Sequence, residues 1–326
     1  MIGYTIRRVL SLLPVLLGIT VISFGVMKMA PGKPTDAAMQ FNPKASLEAR
    51  QRIEEMLGLD QPAPVQYARW LRRLAQGDFG RSFLDGRDVA EKLLERLPVT
   101  LTINFWAIGL VFLLAVPVGV LAAARPLGLF DRVTTVAVFV GYAMPSFWLA
   151  LLGIRFFGVD LRWLPVSGLH SLDHEAFGWW GRLADTAWHL ALPVGVMIVL
   201  GLAGLSRYAR TGMLEILQQD YIRTARAKGL PERVVLFRHG LRNALLPIIT
   251  ILGLMLPSFI GGSVIMETVF SIPGMGRLFY EAVMARDEAV VMALVTVGGF
   301  LTLFGNFLAD LAYAYADPRI RVGKGR

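Results

Sequence analysis

The sequence has no cysteine among its 326 residues. Disulfides, thiolate metal centres and a cysteine nucleophile are thereby excluded. Charge is also scarce. Asp, Glu, Lys and Arg make up 17% of the chain, against about a quarter in soluble domains. Hydrophobic residues reach 55%, and the mean hydropathy is +0.55. This composition excludes a disordered chain and argues against an ordinary cytosolic enzyme. Three catalytic signatures are absent. Without G-x-x-x-x-G-K-[ST] there is no phosphate-cradling loop, and without H-E-x-x-H or G-x-S-x-G neither metalloprotease nor serine-hydrolase chemistry has support.

What the sequence has instead is long apolar runs. A bilayer core takes roughly 20 mostly apolar residues per helix. Six stretches meet that length: Val9–Met27, about 101–124, 133–157, 189–205, 245–266 and 289–313. Arg7 and Arg8 precede the first run as in a secretion signal. The run is longer than a signal core and no small-x-small cleavage site follows promptly, so it reads as a retained span. The formal charge of +9 has a location. With the N-terminus inside, the inner segments 1–8, 124–132, 207–244 and 314–326 hold 16 basic residues against five acidic ones. Apart from Asp310, the rest of the chain holds 17 basic and 18 acidic residues. Dense basic charge on short inner loops sets orientation, so the expected architecture is all-α with six spans, N-in and C-in. A basic chain can also signal nucleic acid; here the charge follows topology, and no nucleic-acid partner is expected.

Three units follow: a first span over 1–29, an outer helical insert over 30–98, and a membrane core over 99–326. The insert reads as three short helices. Ser46 caps the first, with Leu47, Ile53, Met56 and Leu57 on one face and Gly58 as its stop. Pro64 opens the second, with Tyr67, Trp70, Leu71 and Leu74 at helical spacing. Asp88 caps the third, with Val89, Leu93 and Leu97 four apart and Pro98 ending it. The insert is too small for much of a core, so it packs on the membrane core or a partner, or serves as a solvated lid. In the second outer segment, 158–188, His170 and His174 sit four apart, a metal-binding spacing on a helix. The flanks are loop-like and no third ligand is evident, so they read as two loop histidines and no metal is assigned.

Lys28, Arg155 and Glu267 fall at span ends, where long side chains can snorkel. Charges at mid-membrane are nearly absent, whereas ion-coupled carriers keep ionisable groups there. A stand-alone secondary carrier therefore lacks its groups, and the driving energy comes from elsewhere. Within spans, Met144, Pro145 and Ser146, together with Pro257 and Ser258, are the candidate flexible pathway segments.

The inner loop 207–244 carries the most information. Residues 220–228 form a good helix, and Gly229 stops it where a left-handed cap is needed. Leu230 follows, then Pro231 and Glu232 open a second helix, which runs on through Phe237 to Arg238 and His239. Charge alone would fit a loop on lipid headgroups; the glycine elbow and a second apolar face fit a protein-docking element.

This loop resembles the EAA loop of ABC-importer permeases: E-A-A, three residues, Gly, nine residues, then I-x-L-P. With Gly229 on the glycine, Arg223-Thr224-Ala225 falls on E-A-A and His239-Gly240-Leu241-Arg242 on I-x-L-P. Arg223 replaces the acid and Arg242 the proline. Both departures resemble the dipeptide, oligopeptide and nickel permease branch, which reads R-T-A-R-A-K-G and R-H-A-L-R-N-A-L. The resemblance to its B-type subunit extends over nearly the whole chain. It includes Ala30-Pro31-Gly32, Gly77-Asp78-Phe79-Gly80-Arg81-Ser82, Met144-Pro145-Ser146-Phe147-Trp148, the stretch 267–276 and the closing Asp317-Pro318-Arg319.

The resemblance implies a type I ABC importer-like permease in a bacterial inner membrane. It implies a C-type permease partner, two ATPase subunits that carry ATP and Mg, and an outer binding protein that delivers peptide. The chain itself would hold no cofactor and would catalyse nothing. Arg223, Thr224, Ala225, Arg226, Lys228, Gly229, Leu230, Pro231, His239, Leu241 and Arg242 would form the ATPase-coupling surface. In this role Gly229 sets the elbow, Ala225 permits close approach to the ATPase cleft, and Arg223, Arg226 and Lys228 pair with acids there. Nickel complexes or glutathione are the alternative cargoes within the branch.

Overall fold

The computed structural model describes residues 2–29, 58, 60–245, 248, 251 and 262–316. Among them the chain is helical, with one isolated antiparallel bridge between Arg81 and Asp88. The helices are α1 (Ile2–Met29), α2 (Ala63–Ala75), α3 (Val89–Ala124), α4 (Leu129–Ala143) and α5 (Ser146–Gly153), the last continued by a wider π-turn over Ile154–Asp160. They continue with α6 (Trp179–Leu217), α7 (Asp220–Ala227), α8 (Glu232–Val234, continued by a π-turn Val235–Gly240), α9 (Val264–Val269), α10 (Met275–Met284) and α11 (Glu288–Ala316).

Among the described residues α1, α3, α6 and α11 are long and apolar enough to cross a membrane. The third run expected from sequence is not one straight span. It consists of α4 and α5 with its π-turn, bent by 103° at their junction. Proline is the cause: it lacks an N–H and pushes the preceding residue out of the helical region. Met144 accordingly has φ −80° and ψ 130°, and Pro145 has ψ 136°. The fifth expected span, 245–266, lies mostly outside the described residues, as do Pro257, Ser258 and the first insert helix capped by Ser46.

Pro98 does not end a helix. The segment begun by Asp88, whose carboxylate accepts the Glu91 N–H at 3.2 Å, runs unbroken from Val89 to Ala124 with Pro98 and Pro117 inside it. The proline removes one intrahelical bond. Packing on both sides of it holds the helix: Val89 and Leu93 are buried with Leu278 and Val290, and Ile103 with Leu192 and Phe270.

The core is the seam between α3 and α6. Small residues line it, including Ala115, Ala122 and Ala123 on α3 and Ala203 and Ala209 on α6. A Cβ on Gly119 would lie 2.5 Å from the Ser206 carbonyl oxygen, and one on Gly201 would lie 2.6 Å from Val111. Such close approach, of backbone to backbone at Gly119 and of a side chain to backbone at Gly201, is how helices associate without water to drive them together.

Polar anchors join the 77–82 turn, α1, α2 and α3 to the start of α11 and to one another. Ser82 of the 77–82 turn donates to the Asp287 carboxylate, which also accepts the Val290 N–H at 3.3 Å and so caps α11. Lys92 bridges Ser82 at 3.0 Å and Asp85 at 2.8 Å. Lys28 does not snorkel; it pairs with Glu288 at 2.7 Å, joining α1 to α11. On α2, Tyr67 bonds to Thr20 of α1 at 2.9 Å. Glu267 does not snorkel either, being 2% exposed. Its carboxylate accepts the Thr100 hydroxyl and the Arg277 N–H, both at 3.0 Å, while the Thr100 oxygen accepts the Met275 N–H at 2.8 Å. Gly262 and Gly274 leave the space, since a Cβ on either would collide with that carboxylate. The motif 267–276 is thus a carboxylate capping the first turn of α10 and fastening it to α3.

Two outcomes are expected. Gly119→Ala should destabilise the protein by about 2 kcal/mol from overpacking. Gly109→Ala, with open space at its Cβ, should stabilise it slightly through helix propensity; thermal melting in detergent separates the two. Glu267→Ala should cost about 3 kcal/mol or more by stranding buried donors, read by the same melting experiment.

Candidate functional site

The elbow in the inner loop is built from local hydrogen bonds. α6 is 39 residues long, or about 58 Å at 1.5 Å per residue, about twice the hydrocarbon thickness of a bilayer. The helix is thus longer than one crossing needs, and two residues separate its end at Leu217 from the start of α7 at Asp220. At the far end of α7 the Gly229 N–H bonds to the Arg226 carbonyl at 2.9 Å and the Leu230 N–H to the Ala225 carbonyl at 3.4 Å. Those two bonds, with φ +73° at Gly229, form a Schellman cap. Pro231 then sits at the N-cap of α8. Arg226 grips Glu232 across the elbow through Nη2 at 2.7 Å and Nε at 3.3 Å, which holds its guanidinium pKa above the ordinary range.

The loop has an inward and an outward face. Ile222, Ala225 and Val235 are buried together, with Ile216 and Leu217 packed against them. Leu236 and Gly240 are buried on the adjoining side. Ala225 thus allows close approach, but of this chain's own second helix; it does not face outward. His239 and Leu241 are half-buried, whereas Arg223, Thr224, Lys228, Gly229, Leu230, Pro231 and Arg242 are exposed. The Thr224 hydroxyl is turned back to the Asp220 carbonyl at 2.9 Å. Arg223 makes a 3.7 Å contact with Asp220 between two exposed side chains. Lys228, Arg233, Arg238 and Arg242 have no acidic partner among the described residues. With Leu230 and Phe237 exposed between them, this is a basic, partly apolar surface on a rigid turn.

A second inner contact was not evident from sequence. Asp131 on α4, 3% exposed, receives a two-pronged grip from Arg210 on α6 at 2.6 and 2.9 Å, and the Leu127 N–H at 2.8 Å. The partners are 79 residues apart, and both types are ordinary on inner loops, so no spacing rule points to them.

Between α3 and α6 lies a cavity of about 460 Å³. Its described lining includes Asn104, Tyr142, Gly201, Gly204, Tyr208 and Ser263, and no charged residue. Met144, Pro145 and Ser146 are not among its lining; they form the bend two residues beyond Tyr142. In the loop before α6 the His170 and His174 rings lie 4.3 Å apart, tilted by 39°. His174 Nδ1 lies 2.8 Å from Asp185, and His189 Nδ1 lies 3.3 Å from it. Asp185 also accepts the Ser171 N–H at 2.9 Å. His174 therefore helps hold this loop to α6, and no metal-holding cluster occurs among the described residues.

Comparison with known proteins follows this geometry. Residues 115–322 match the family model described as binding-protein-dependent transport system inner membrane component. Residues 1–104 match the N-terminal model of the same systems. The oligopeptide transport system permease protein AppB of Bacillus subtilis is 46% identical, over 98% of this chain and 99% of its own. The dipeptide transport system permease protein DppB of Alkalihalophilus pseudofirmus is 34% identical, over 98% and 100%. A solved structure of the MetNI methionine ABC transporter in inward facing conformations has a TM-score of 0.49 and 19% identity, over 67% of this chain and 95% of that one. The chain belongs to the family of binding-protein-dependent transport system inner membrane components.

Proposed function

We propose that this chain is the B-type permease subunit of an ATP-driven peptide importer in a bacterial inner membrane. It crosses the membrane six times, N-in and C-in, with 1–29 as the first span, 30–98 as the outer insert and 99–326 as the permease core. Because α3 runs across residues 98 and 99, insert and core share a rigid rod. A C-type permease completes the path, two ATPase subunits carry ATP and Mg, and an outer binding protein delivers peptide. The chain has no catalytic role and holds no cofactor of its own.

The observation that carries this reading is the capped elbow at Gly229, with cations on its outward face of which Lys228, Arg233, Arg238 and Arg242 have no acidic partner among the described residues. A helix pair stiffened by a Schellman cap and the Arg226–Glu232 grip transmits force without bending. Arg223, Lys228 and Arg242 supply charge for an acidic ATPase cleft, and Leu230 and Pro231 supply the apolar contact. Arg226 is already engaged, so it and Ala225 shape the element, with His239 and Leu241 behind them. When the ATPases close on ATP, they draw the two elbows of the permease pair together. α6 carries that motion into the membrane, since it runs from the outer loop to the elbow unbroken. Peptide is the cargo because AppB and DppB, alike over almost their full length, are named for oligopeptide and dipeptide transport.

The test uses the reconstituted transporter with all partners. Gly229→Val places a β-branched residue at φ +73° and should abolish uptake while the chain still inserts. Gly229→Asn, which tolerates that conformation, should keep most activity. Arg223→Glu with Lys228→Glu should weaken ATPase association about tenfold or more. Unchanged uptake and association in Gly229→Val would overturn the coupling role. Uptake of nickel complexes or glutathione, with no peptide uptake, would overturn the cargo.

A further inference from the structure

We propose that the groove bounded by α1, α10 and α11 binds one anionic phospholipid, with an acyl chain along the groove and the phosphate on Arg286. The proposal needs only that α1 and α11 cross the membrane; it is independent of the cargo and of the coupling surface. The groove has a volume of about 560 Å³. Its walls include Ile22 and Val26 of α1, Val283 and Met284 of α10, and Val291 and Val295 of α11. The first four are exposed, so the groove is uncovered apolar surface. Helix length places it in the bilayer. The apolar segments Leu10–Met29 and Glu288–Leu308 have 20 and 21 residues, about 30 Å each, one hydrocarbon thickness. They run antiparallel: Lys28 meets Glu288 at one end, and Ile19 and Leu16 face Gly299 further along. The Lys28–Glu288 pair therefore marks a hydrocarbon boundary, and Arg286, just before Glu288 in the chain, stands at headgroup level. Ile22 and Val295 lie about 10 Å deeper at 1.5 Å per residue.

The rim carries one uncommitted charge. Both Glu288 oxygens are held by Lys28, at 2.7 and 3.0 Å. The Asp287 carboxylate accepts from Ser82 and the Val290 N–H, and Glu281 is held by Arg277. Arg286 lines the groove and has no acidic partner among the described residues. A phosphodiester complements it, since two phosphate oxygens match the guanidinium fork. The acids nearest in the chain are all engaged, which leaves none of them for an ammonium headgroup. The charge balance therefore suits phosphatidylglycerol better than phosphatidylethanolamine.

Backbone conformation singles out the same residue. The Arg286 N–H bonds to the Val283 carbonyl at 3.2 Å, and the Asp287 N–H to the Ala282 carbonyl at 2.8 Å. This is the Schellman pattern also found at Gly229. Here the left-handed position, with φ +55°, is filled by arginine. Glycine would take that conformation without strain, whereas a residue with a Cβ does not. A long charged side chain kept where glycine fits better is accounted for by what its guanidinium holds.

The experiment titrates the purified, delipidated transporter complex with palmitoyl-oleoyl phosphatidylglycerol and counts retained lipid by native mass spectrometry. Wild type should bind it about tenfold or more tighter than phosphatidylethanolamine or diacylglycerol of the same chains, and inorganic phosphate should not displace it. Arg286→Gly should lose that preference, while its melting temperature without lipid stays equal or rises because strain is relieved. Val295→Trp, with Arg286 intact, fills the deep end of the groove and should lower the affinity by about tenfold. If Arg286→Gly binds phosphatidylglycerol as wild type does, or melts lower without lipid, Arg286 serves the fold and the proposal fails. Equal binding of all three lipids by wild type reduces the groove to a lipid-wetted surface. Displacement by inorganic phosphate, or unchanged affinity in Val295→Trp, removes the acyl chain from the groove. Absence of retained lipid in wild type overturns the proposal too, and a cross-link from Val283→Cys to another subunit would then identify a partner helix as the occupant.

Discussion

Everything else in this chain hangs on the contact of α3 with α6. Lipid offers no hydrophobic drive to bring two apolar helices together, so dispersion between closely fitted surfaces must do it. Gly119 against the Ser206 backbone and Gly201 against Val111 let the helix axes approach, and buried alanines on both sides continue the fit. The remaining elements are placed relative to this pair. α4 and α5 lean on α6, α10 is fastened to α3 through Glu267 and Thr100, and the inner elbow hangs from the projecting end of α6. The same pair bounds the cavity, so the packing that stabilises the fold also sets the cavity's width.

Glycine has three distinct jobs along this seam and its extensions. At Gly119 it permits a backbone contact, at Gly229 it supplies a positive φ, and at Gly204 it leaves space unfilled. Only the second is legible in sequence, because a left-handed cap has local punctuation: a helix former before it, Leu-Pro after it. The other two depend on what stands opposite. Nothing near Gly119 or Gly204 in the chain announces whether a neighbour will be backbone or void. Four of the apolar runs were legible for a similar reason, since bilayer thickness imposes a length that a sequence must honour. Pro98 misled because local rules treat proline as a stop, while tertiary packing on both sides of it carried the helix through. Pro145 acted as the local rule expects.

Buried carboxylates were the feature least visible in advance. Asp131, Glu267 and Asp287 look like ordinary acids at the ends of apolar runs. Each turns out to be buried and to bind groups from a distant part of the chain: Arg210, Thr100 with the α10 backbone, and Ser82. Burying a carboxylate is expensive unless its oxygens are filled. Each such acid therefore specifies a single arrangement of the elements it joins, and a misplaced neighbour would leave a charge unpaired. The outer turn 77–82 has its meaning here. Ser82 reaches the cap of α11, so the turn is an attachment point for the insert.

The Asp131–Arg210 grip and the proline bend together fix how α4 lies against the rest of the fold. Arg210 is on the stretch of α6 that leads to the elbow, and Asp131 is in the first turn of α4. The two-pronged contact ties those two ends together. α4 does not run straight on into α5, because the chain is broken at Met144 and Pro145 and the two helices meet at 103°. Tyr142, two residues before the break, is on the cavity wall. Because of the bend, α4 is held to α6 through Asp131 while α5 packs on the core through Leu149 and Ala150.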